Sequence, residues 1–443
     1  RPAGPPAHHS AVQAIHRFAN LPIRRPVSAP MNPAMKRLSV LMAAAFADMV
    51  GFAMVFPLLP FYALRLQAPE WLIGWMIASY SVAQLASSPM WGRLSDRYGR
   101  RRSILLALSA SGVAFLVFGF ATSIWMLFAS RLVQGVGGGM TGVLQAYVSD
   151  VTEPRDRAKA LGWLSAATGA GVMIGPAIGS AAFAIGPEWP GIVAALLCIV
   201  NLLFARRWLP ESSPRKGAGA GGAAGAGAEH RTPRSIQTML WEVLRHPNGV
   251  VARLVWIYAL GMLGQMSVSA VLALYLKSAY GITERTIFLF FVYIGGLGVV
   301  MRAVLLGRLV DWLGETRLMR LGAVAFALGM FTIPLPGSVW FTGLLIGLIP
   351  IGAACLFPAV TALVTHQVHD HERGQALGVQ QAFGGGARVL APLWATAAFQ
   401  ALGHTIPFFI SGGVAAIVAL LALRVREGPE AAHAHAPAGA TAG

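Results

Sequence analysis

Residues 92–102 read GRLSDRYGRRR, and 215 positions further on residues 307–317 read GRLVDWLGETR. Each is a short charged turn between two apolar runs: 71–91 and 103–122 flank the first, 286–306 and 318–335 the second. A helix needs about 20 apolar residues to cross the ~30 Å hydrocarbon layer at ~1.5 Å per residue, so each turn joins two candidate membrane spans. The register extends beyond the turns. Arg157, Ala160, Leu161 and Gly162 return 216 positions later as Arg373, Ala376, Leu377 and Gly378, and Pro176 returns as Pro392. Several matches holding one offset across a helix mark an internal duplication, and parallel repeats place a substrate site near the midplane between the halves.

The remaining runs complete the pattern. Spans are expected at 38–62, 71–91, 103–122, 124–148, 160–184, 189–208, 251–276, 286–306, 318–335, 338–364, 376–401 and 405–423. None alternates with the period of two that a lipid-facing β-strand requires, which leaves the internally hydrogen-bonded helix. The expected fold class is an all-α membrane protein, with twelve transmembrane helices in two pseudo-symmetric six-helix bundles at 38–208 and 251–424.

Composition points the same way. The 443 residues are 56% hydrophobic and 12% charged, against roughly 25% charged in soluble domains, which excludes a water-soluble enzyme. Cys198 and Cys355 lie in apolar runs and suggest neither a disulfide framework nor a metal site. The sequence offers no metal-ligand cluster, no serine or cysteine nucleophile with a nearby base and no nucleotide loop, so neither an enzyme nor a cofactor is expected.

The net charge of +17 raises the question of nucleic acid until the cations are placed. With the N-terminus cytoplasmic, outer loops hold only Arg65, Lys277 and Arg285. Inner loops and ends hold Lys36, Arg37, Arg97, Arg100, Arg101, Arg102, Arg155, Arg157, Lys159, Arg206, Arg207, Arg308, Arg317, Arg320, Arg373, Arg424 and Arg426. Topology and anionic lipid account for the charge, and nucleic acid drops out. Both termini then face the cytoplasm, in a plasma or inner membrane.

Outside the bundles, residues 1–37 carry no acidic group and read as a disordered cytoplasmic N-terminus, with Met31 or Met35 as a candidate start. They lack the apolar core of a signal peptide, and an organelle transit reading is disfavoured by their low serine content. Residues 209–250 contain the Gly/Ala tract Gly217 to Ala228 and read as a flexible cytoplasmic linker. The tail, 425–443, is Ala/His/Pro-rich and reads as disordered rather than as a metal site at His433 and His435.

Charged residues inside the spans carry the functional reading. Asp48 is the only one of the 17 acidic residues deep in an expected span, about 15 Å from its cytoplasmic start. Arg131 lies about 10 Å from the outer start of helix four, near the same depth. Pairing with Arg131 would hold such a carboxylate ionised, whereas separation or burial favours proton uptake; a structural ion pair is the alternative. Arg388 is about 18 Å into helix eleven, and the three together sum to +1, which favours a neutral or anionic cargo. Arg302, near the cytoplasmic end of helix eight, is expected to snorkel.

On helix four, Arg131, Gln134, Gly138, Thr141 and Gln145 form one polar stripe expected to line a cavity. Gln84 and Tyr80, Tyr258 and Gln265, and Gln380 and Gln381 are further cavity candidates, although each type more often serves packing or interhelical bonding. In the turn, Gly92 and Gly99 permit close approach and a tight bend while Asp96 accepts from Arg100 or Arg101, which makes a latch; positive-inside anchoring alone explains the arginines but not the glycines. Gly171, Gly175 and Gly179 share one face of helix five, with Pro176 removing a helical hydrogen bond, which makes a packing face or a hinge.

These motifs resemble the major facilitator superfamily, and within it the twelve-span drug:proton antiporters, including tetracycline-type efflux proteins. The likeness covers most of residues 38–424. It rests on the turn Gly92, Asp96, Arg97, Gly99, Arg100 and Arg101; on Arg131, Gln134, Gly135, Gly137 and Gly138; on Gly171, Gly175, Pro176 and Gly179; and on Asp48, Gly51, Pro57 and Pro60. Two departures stand out. Val113, Ala114 and Phe115 occupy the region where tetracycline exporters carry an acid, which argues against tetracycline as cargo. Glu315 and Thr316 replace Arg100 and Arg101 in the second turn, which should weaken its latch.

The resemblance implies a monomeric secondary transporter in the lipid bilayer that exports a small organic molecule in exchange for a proton by alternating access. Asp48 and Arg131 would couple the proton. A symporter or uniporter importing a sugar or organic acid, and a non-transporting receptor or scaffold, are the alternatives.

Overall fold

The computed structural model describes residues 33–153, 156–209, 236–247, 249–335, 337–369 and 372–425, and the regular structure among them is helical. Residues 1–32, the Gly/Ala tract and the His-bearing tail lie outside the described residues. The first half comprises α1 (Pro33–Val55), α2 (Leu59–Arg65), α3 (Glu70–Tyr98), α4 (Arg100–Gly119), α5 (Ile124–Gly138), α6 (Thr141–Val151), α7 (Arg157–Ile185) and α8 (Trp189–Trp208). After α9 (Ile236–Arg245) come α10 (Val250–Tyr280), α11 (Phe288–Val300), a π-helical turn (Met301–Leu305), α12 (Leu306–Thr332), α13 (Val339–Ile346), α14 (Leu348–His366), α15 (Arg373–Leu402) and α16 (Ile406–Leu423).

Several expected spans are divided, each for a local reason. Pro57 follows the end of α1 and cannot donate the next helical bond, so the first span is α1 plus α2. Helix four breaks at Gly139–Met140 between α5 and α6. Conversely, helical hydrogen bonding runs from 288 to 332 with only Gly314, at φ 74° and ψ 160°, leaving helical geometry. The linker is not uniformly irregular: Met239 and Val243 bury one face of α9 against α10 and α15. Their i, i+4 spacing was the available signal.

Among the described residues, eight helical runs are long and apolar enough to cross a membrane: 38–55, 100–119, 160–185, 189–208, 250–280, 288–332, 339–366 and 406–423. Of the other long elements, α3, α5 with α6, and α15 are more polar, and they carry Gln84, Arg131, Gln134, Gln145, Gln380 and Arg388. Packing explains how a bilayer tolerates them. Helix α3 lies between α5 and α15, and α15 is packed against α3 and α10, so protein rather than lipid faces much of their surface.

The duplication is visible in backbone geometry. Gly99 has φ 100° and Gly314 φ 74°, a region where a side chain is strained. Arg157 Nε donates to the Ser149 carbonyl and Arg373 Nε to the Thr365 carbonyl, both at 3.1 Å, closing equivalent helix ends. The turns define a basic end of the molecule; Arg65 and Glu284 lie at the far end.

The two ends pack differently. At the far end one core runs through both halves, including Val55, Leu58, Phe61, Ile73 and Met76 with Val271, Leu274, Ala395 and Phe399. Helix α3 approaches α15 so closely that a methyl on Gly74 would overlap the Pro392 carbonyl and the Thr396 hydroxyl. Trp71 N donates to Gln400 Oε1 at 3.1 Å, Thr396 Oγ1, which donates to the Pro392 carbonyl at 2.8 Å, lies 3.4 Å from the Trp71 carbonyl, and Arg65 Nε stands 3.9 Å from Glu284. At the basic end, Val40, Leu41, Trp91, Ile104, Tyr147 and Leu209 belong to a core confined to the first half.

Candidate functional site

The face of α1 that carries Asp48 is fixed by its neighbours. Ala44, one turn earlier, accepts at its carbonyl from Asn201 Nδ2 of α8 at 3.0 Å, and Gly51 lies against the Phe115 ring of α4. Phe52, one turn later, meets the Tyr80 ring of α3 at 4.9 Å. Asp48 therefore points between α3 and α8, inside the first half but half-buried rather than sealed. It has neither an ion pair nor a hydrogen bond among the described residues.

Arg131 does not pair with Asp48. It is 2% exposed, donates to Gln134 Oε1, and its guanidinium lies 5.2 Å from the centre of the Phe118 ring. Its Nε has no partner among the described residues. A fully buried guanidinium held by an amide and an aromatic face is poorly compensated, since neither carries a full negative charge.

The polar stripe on helix four divides at the break between α5 and α6. Arg131 and Gln134 are buried within the first half, with Gln134 Nε2 reaching the Ala114 carbonyl at 3.5 Å. Gly138 is the seat for the Tyr80 hydroxyl, and Gln84 Nε2 donates to the Gly138 carbonyl at 3.3 Å. Only Thr141 and Gln145 are exposed. The single continuous cavity-lining stripe expected from periodicity is thus absent. Across the molecule Gln380 is 0% exposed and donates to Thr361 Oγ1 at 3.0 Å, so it serves packing inside the second half, while Gln265 is half-buried. Gln381 Nε2 donates to the Tyr258 hydroxyl at 3.3 Å.

Arg388 occupies the seam between the halves. Gly384 faces Tyr258 of α10 and Gly385 faces Leu85 of α3, so Arg388, one turn on, points between those helices. The antiparallel register set by Trp71 with Gln400 and Leu85 with Gly385 places it opposite Val82, close to Tyr80. Tyr80 lies within electrostatic reach of Asp48, Arg131 and Arg388 together.

The turn at 92–102 forms a built cluster. Arg100, with a side chain 13% exposed, stands 2.9 Å from Asp96 and 3.3 Å from Asp150, and donates to Ser95 Oγ at 2.7 Å. Arg101 donates to the Arg206 carbonyl at the end of α8, and Arg97 lies over the Tyr98 ring at 5.4 Å. Asp150 was missed from sequence because it comes from another helix end. Gly92 differs from expectation: open space lies where its side chain would be, so no close approach requires it here.

The glycine face of α7 packs as its spacing implies. Added methyls would stand 2.6 Å from the Phe46 carbonyl at Gly171, 2.8 Å from the Val50 carbonyl at Gly175 and 2.8 Å from the Met54 carbonyl at Gly179. Helix α7 continues through Pro176. At the far end, a cavity of about 510 Å³ is lined by Arg65, Phe183, Pro187, Thr283, Glu284 and Arg285, away from Asp48.

Duplicated charged turns, backbone-close helices and uncompensated charges at mid-depth define a polytopic helical membrane transporter. A family model described as Major Facilitator Superfamily matches residues 41–351 and 304–441, and the chain belongs to that superfamily. At the family level it is a transporter rather than an enzyme.

Relatives agree with the antiporter type that the motifs resemble. The Escherichia coli tetracycline resistance protein, class B, is 26% identical over 365 residues, covering 82% of this chain and 87% of the relative. The Bacillus subtilis multidrug resistance protein 2 is 25% identical over 383 residues, covering 85% and 91%. Among solved structures, the human organic anion transporter MFSD10 superposes with a TM-score of 0.64 at 20% identity, covering 88% of this chain and 100% of that one. The nucleoside transporter NupG gives 0.71 at 12% identity, covering 89% and 100%. These two likenesses speak for the fold alone.

Proposed function

We propose that this transporter exports a small amphipathic organic molecule in exchange for a proton, by alternating access between two six-helix bundles at 38–208 and 251–424. The twelve-span count is supported by dividing the 288–332 run at Gly314 and by adding the three polar elements to the apolar runs. The basic end is cytoplasmic in this reading, with both chain termini, because anchoring cations favour that side. The far-end seam and the separate core at the basic end then correspond to a state open toward the cytoplasm.

One observation carries the exchange mechanism: Asp48 stands inside the first half, half-buried and without an ion pair or hydrogen bond. A carboxyl so placed is free to alternate between protonated and ionised forms as the passage alternates, which a permanent ion pair with Arg131 would prevent. Arg131 tunes that alternation through its positive charge. Asp96, Arg100 and Asp150 hold one gate state at the basic end, and the face Gly171, Gly175, Pro176 and Gly179 lets α7 move against α1. The transporter acts as a monomer.

Reconstituted vesicles with an imposed pH gradient test this reading. Asp48→Asn should lower gradient-driven flux at least about tenfold, the scale of losing an essential proton-transfer group, while leaving folding and gradient-independent counterflow intact. Undiminished pH-driven flux in that variant contradicts the assignment. The direction of substrate-induced proton movement distinguishes export from symport.

A further inference from the structure

The proposed exchange says nothing of what the cargo must look like, yet the charges on the second half's side of the seam restrict it. Among the described residues from 249 to 425, the acids lie at the edges: Glu284 at the far end, Asp311 and Glu315 at the second turn, and Glu372 at the start of α15. Arg388 sits midway along α15 with no carboxylate from its own half at that level. It is half-buried and has neither a hydrogen bond nor an ion pair among the described residues.

Tyr80 of α3, near Arg388, leads into an aromatic run on the first half. Phe56, Phe52 and Tyr80 form a run with ring centres 5.7 Å and 4.9 Å apart, and Phe52 and Phe56 are half-buried. On the near side the Tyr258 ring packs against Gly384, one turn before Arg388. A guanidinium withdrawn from water favours an anionic partner with oxygen atoms that match its planar fork. Nearby, Arg131 is buried and bonded only through Gln134, so the first half supplies no surplus negative charge beyond Asp48.

We propose that Arg388 anchors an anionic group, a carboxylate or sulfonate, on an aromatic amphipath whose apolar body lies along Phe52, Phe56 and Tyr80. This deepens the transport reading and rests on it, because the seam must be where cargo passes. Asp48, one turn from Phe52, is the acid near this aromatic run, and Arg388 with Arg131 outnumber it, which disfavours permanently cationic compounds.

Binding decides it without transport. The full chain in phosphatidylcholine nanodiscs, at one fixed pH and with no gradient, is titrated calorimetrically with naphthoate, naphthamide and naphthylmethylammonium. Naphthoate should bind about tenfold more tightly than the amide, and the ammonium most weakly. Arg388→Gln should bring naphthoate and naphthamide within about twofold of one another, and Arg388→Lys, which keeps the charge without the fork, should retain part of the preference. If Arg388→Gln does not fold, the lysine variant and the wild-type ranking still decide. Equal or tighter binding of the amide or ammonium, an unchanged preference in Arg388→Gln, or no saturable naphthoate binding up to millimolar concentration overturns the proposal. Since no gradient is applied, failure here leaves proton coupling at Asp48 untouched, and failure of that coupling leaves this ranking untouched.

Discussion

At the first turn Gly99 lies at φ 100° and Arg100 reaches Asp96 at 2.9 Å and Asp150 at 3.3 Å. At the second, Gly314 lies at φ 74°, the position of Arg100 holds Glu315, and the position of Asp150 holds His366, 3.9 Å away. The sign of the pair is inverted and its geometry loosened. Side-chain exposure differs too, 13% and 33% for Arg100 and Asp150 against 26% and 59% for Glu315 and His366. Duplication has kept the backbone bend that joins two helices while leaving the charges free to diverge, because the bend depends on a missing side chain and the pair on two separate positions.

The largest effects should come from the shared part of this comparison. Gly99→Ala and Gly314→Ala each place a side chain where φ is positive and ψ extended, at a cost of about 1–3 kcal/mol. Thermal unfolding in detergent measures it, and two neutral substitutions would break the equivalence of the turns.

A smaller effect is expected at the first pair. Asp150→Asn should lose no more than about 1 kcal/mol, given the partial exposure of its partners, and the loss should shrink as salt rises. The same unfolding measurement in low and high salt checks this; salt independence would mean that packing, not charge, holds the turn.

The smallest effect belongs to the second turn. Glu315→Gln should change stability by a few tenths of a kcal/mol at most. The imidazole of His366 is not a permanent cation, whereas the Arg100 guanidinium is, so the second pair is the weaker of the two. Installing Glu315→Arg together with His366→Asp rebuilds the first arrangement in the second turn. Coupling between the two substitutions in a double-mutant cycle would sharpen the comparison, and strict additivity would show that the second turn lacks the geometry for a latch.

Local rules made part of this molecule legible. Gly99 and Gly314 announce a bend, and Gly171, Gly175 and Gly179 at helical spacing announce a close backbone approach to α1, because both depend on what a residue lacks. Long-range partners were not legible. Asp150 and His366 reach their turns from other helix ends, and nothing in their own neighbourhoods points there. The helix-four stripe failed for a different reason: periodicity assumes one straight helix, whereas Gly139 and Met140 separate α5 from α6 and divide buried Gln134 from exposed Gln145. Depth placed Asp48 beside Arg131, but only tertiary structure shows the guanidinium engaged by Gln134 and Phe118 instead.

The account depends most on Asp48 carrying the exchanged proton. Purified protein in weakly buffered detergent solution, monitored by a pH-sensitive dye while a transported compound is added, reads that event directly. Proton release by the wild type and none by Asp48→Asn, with compound binding retained in both, is the predicted result; equal release from the two proteins would contradict it.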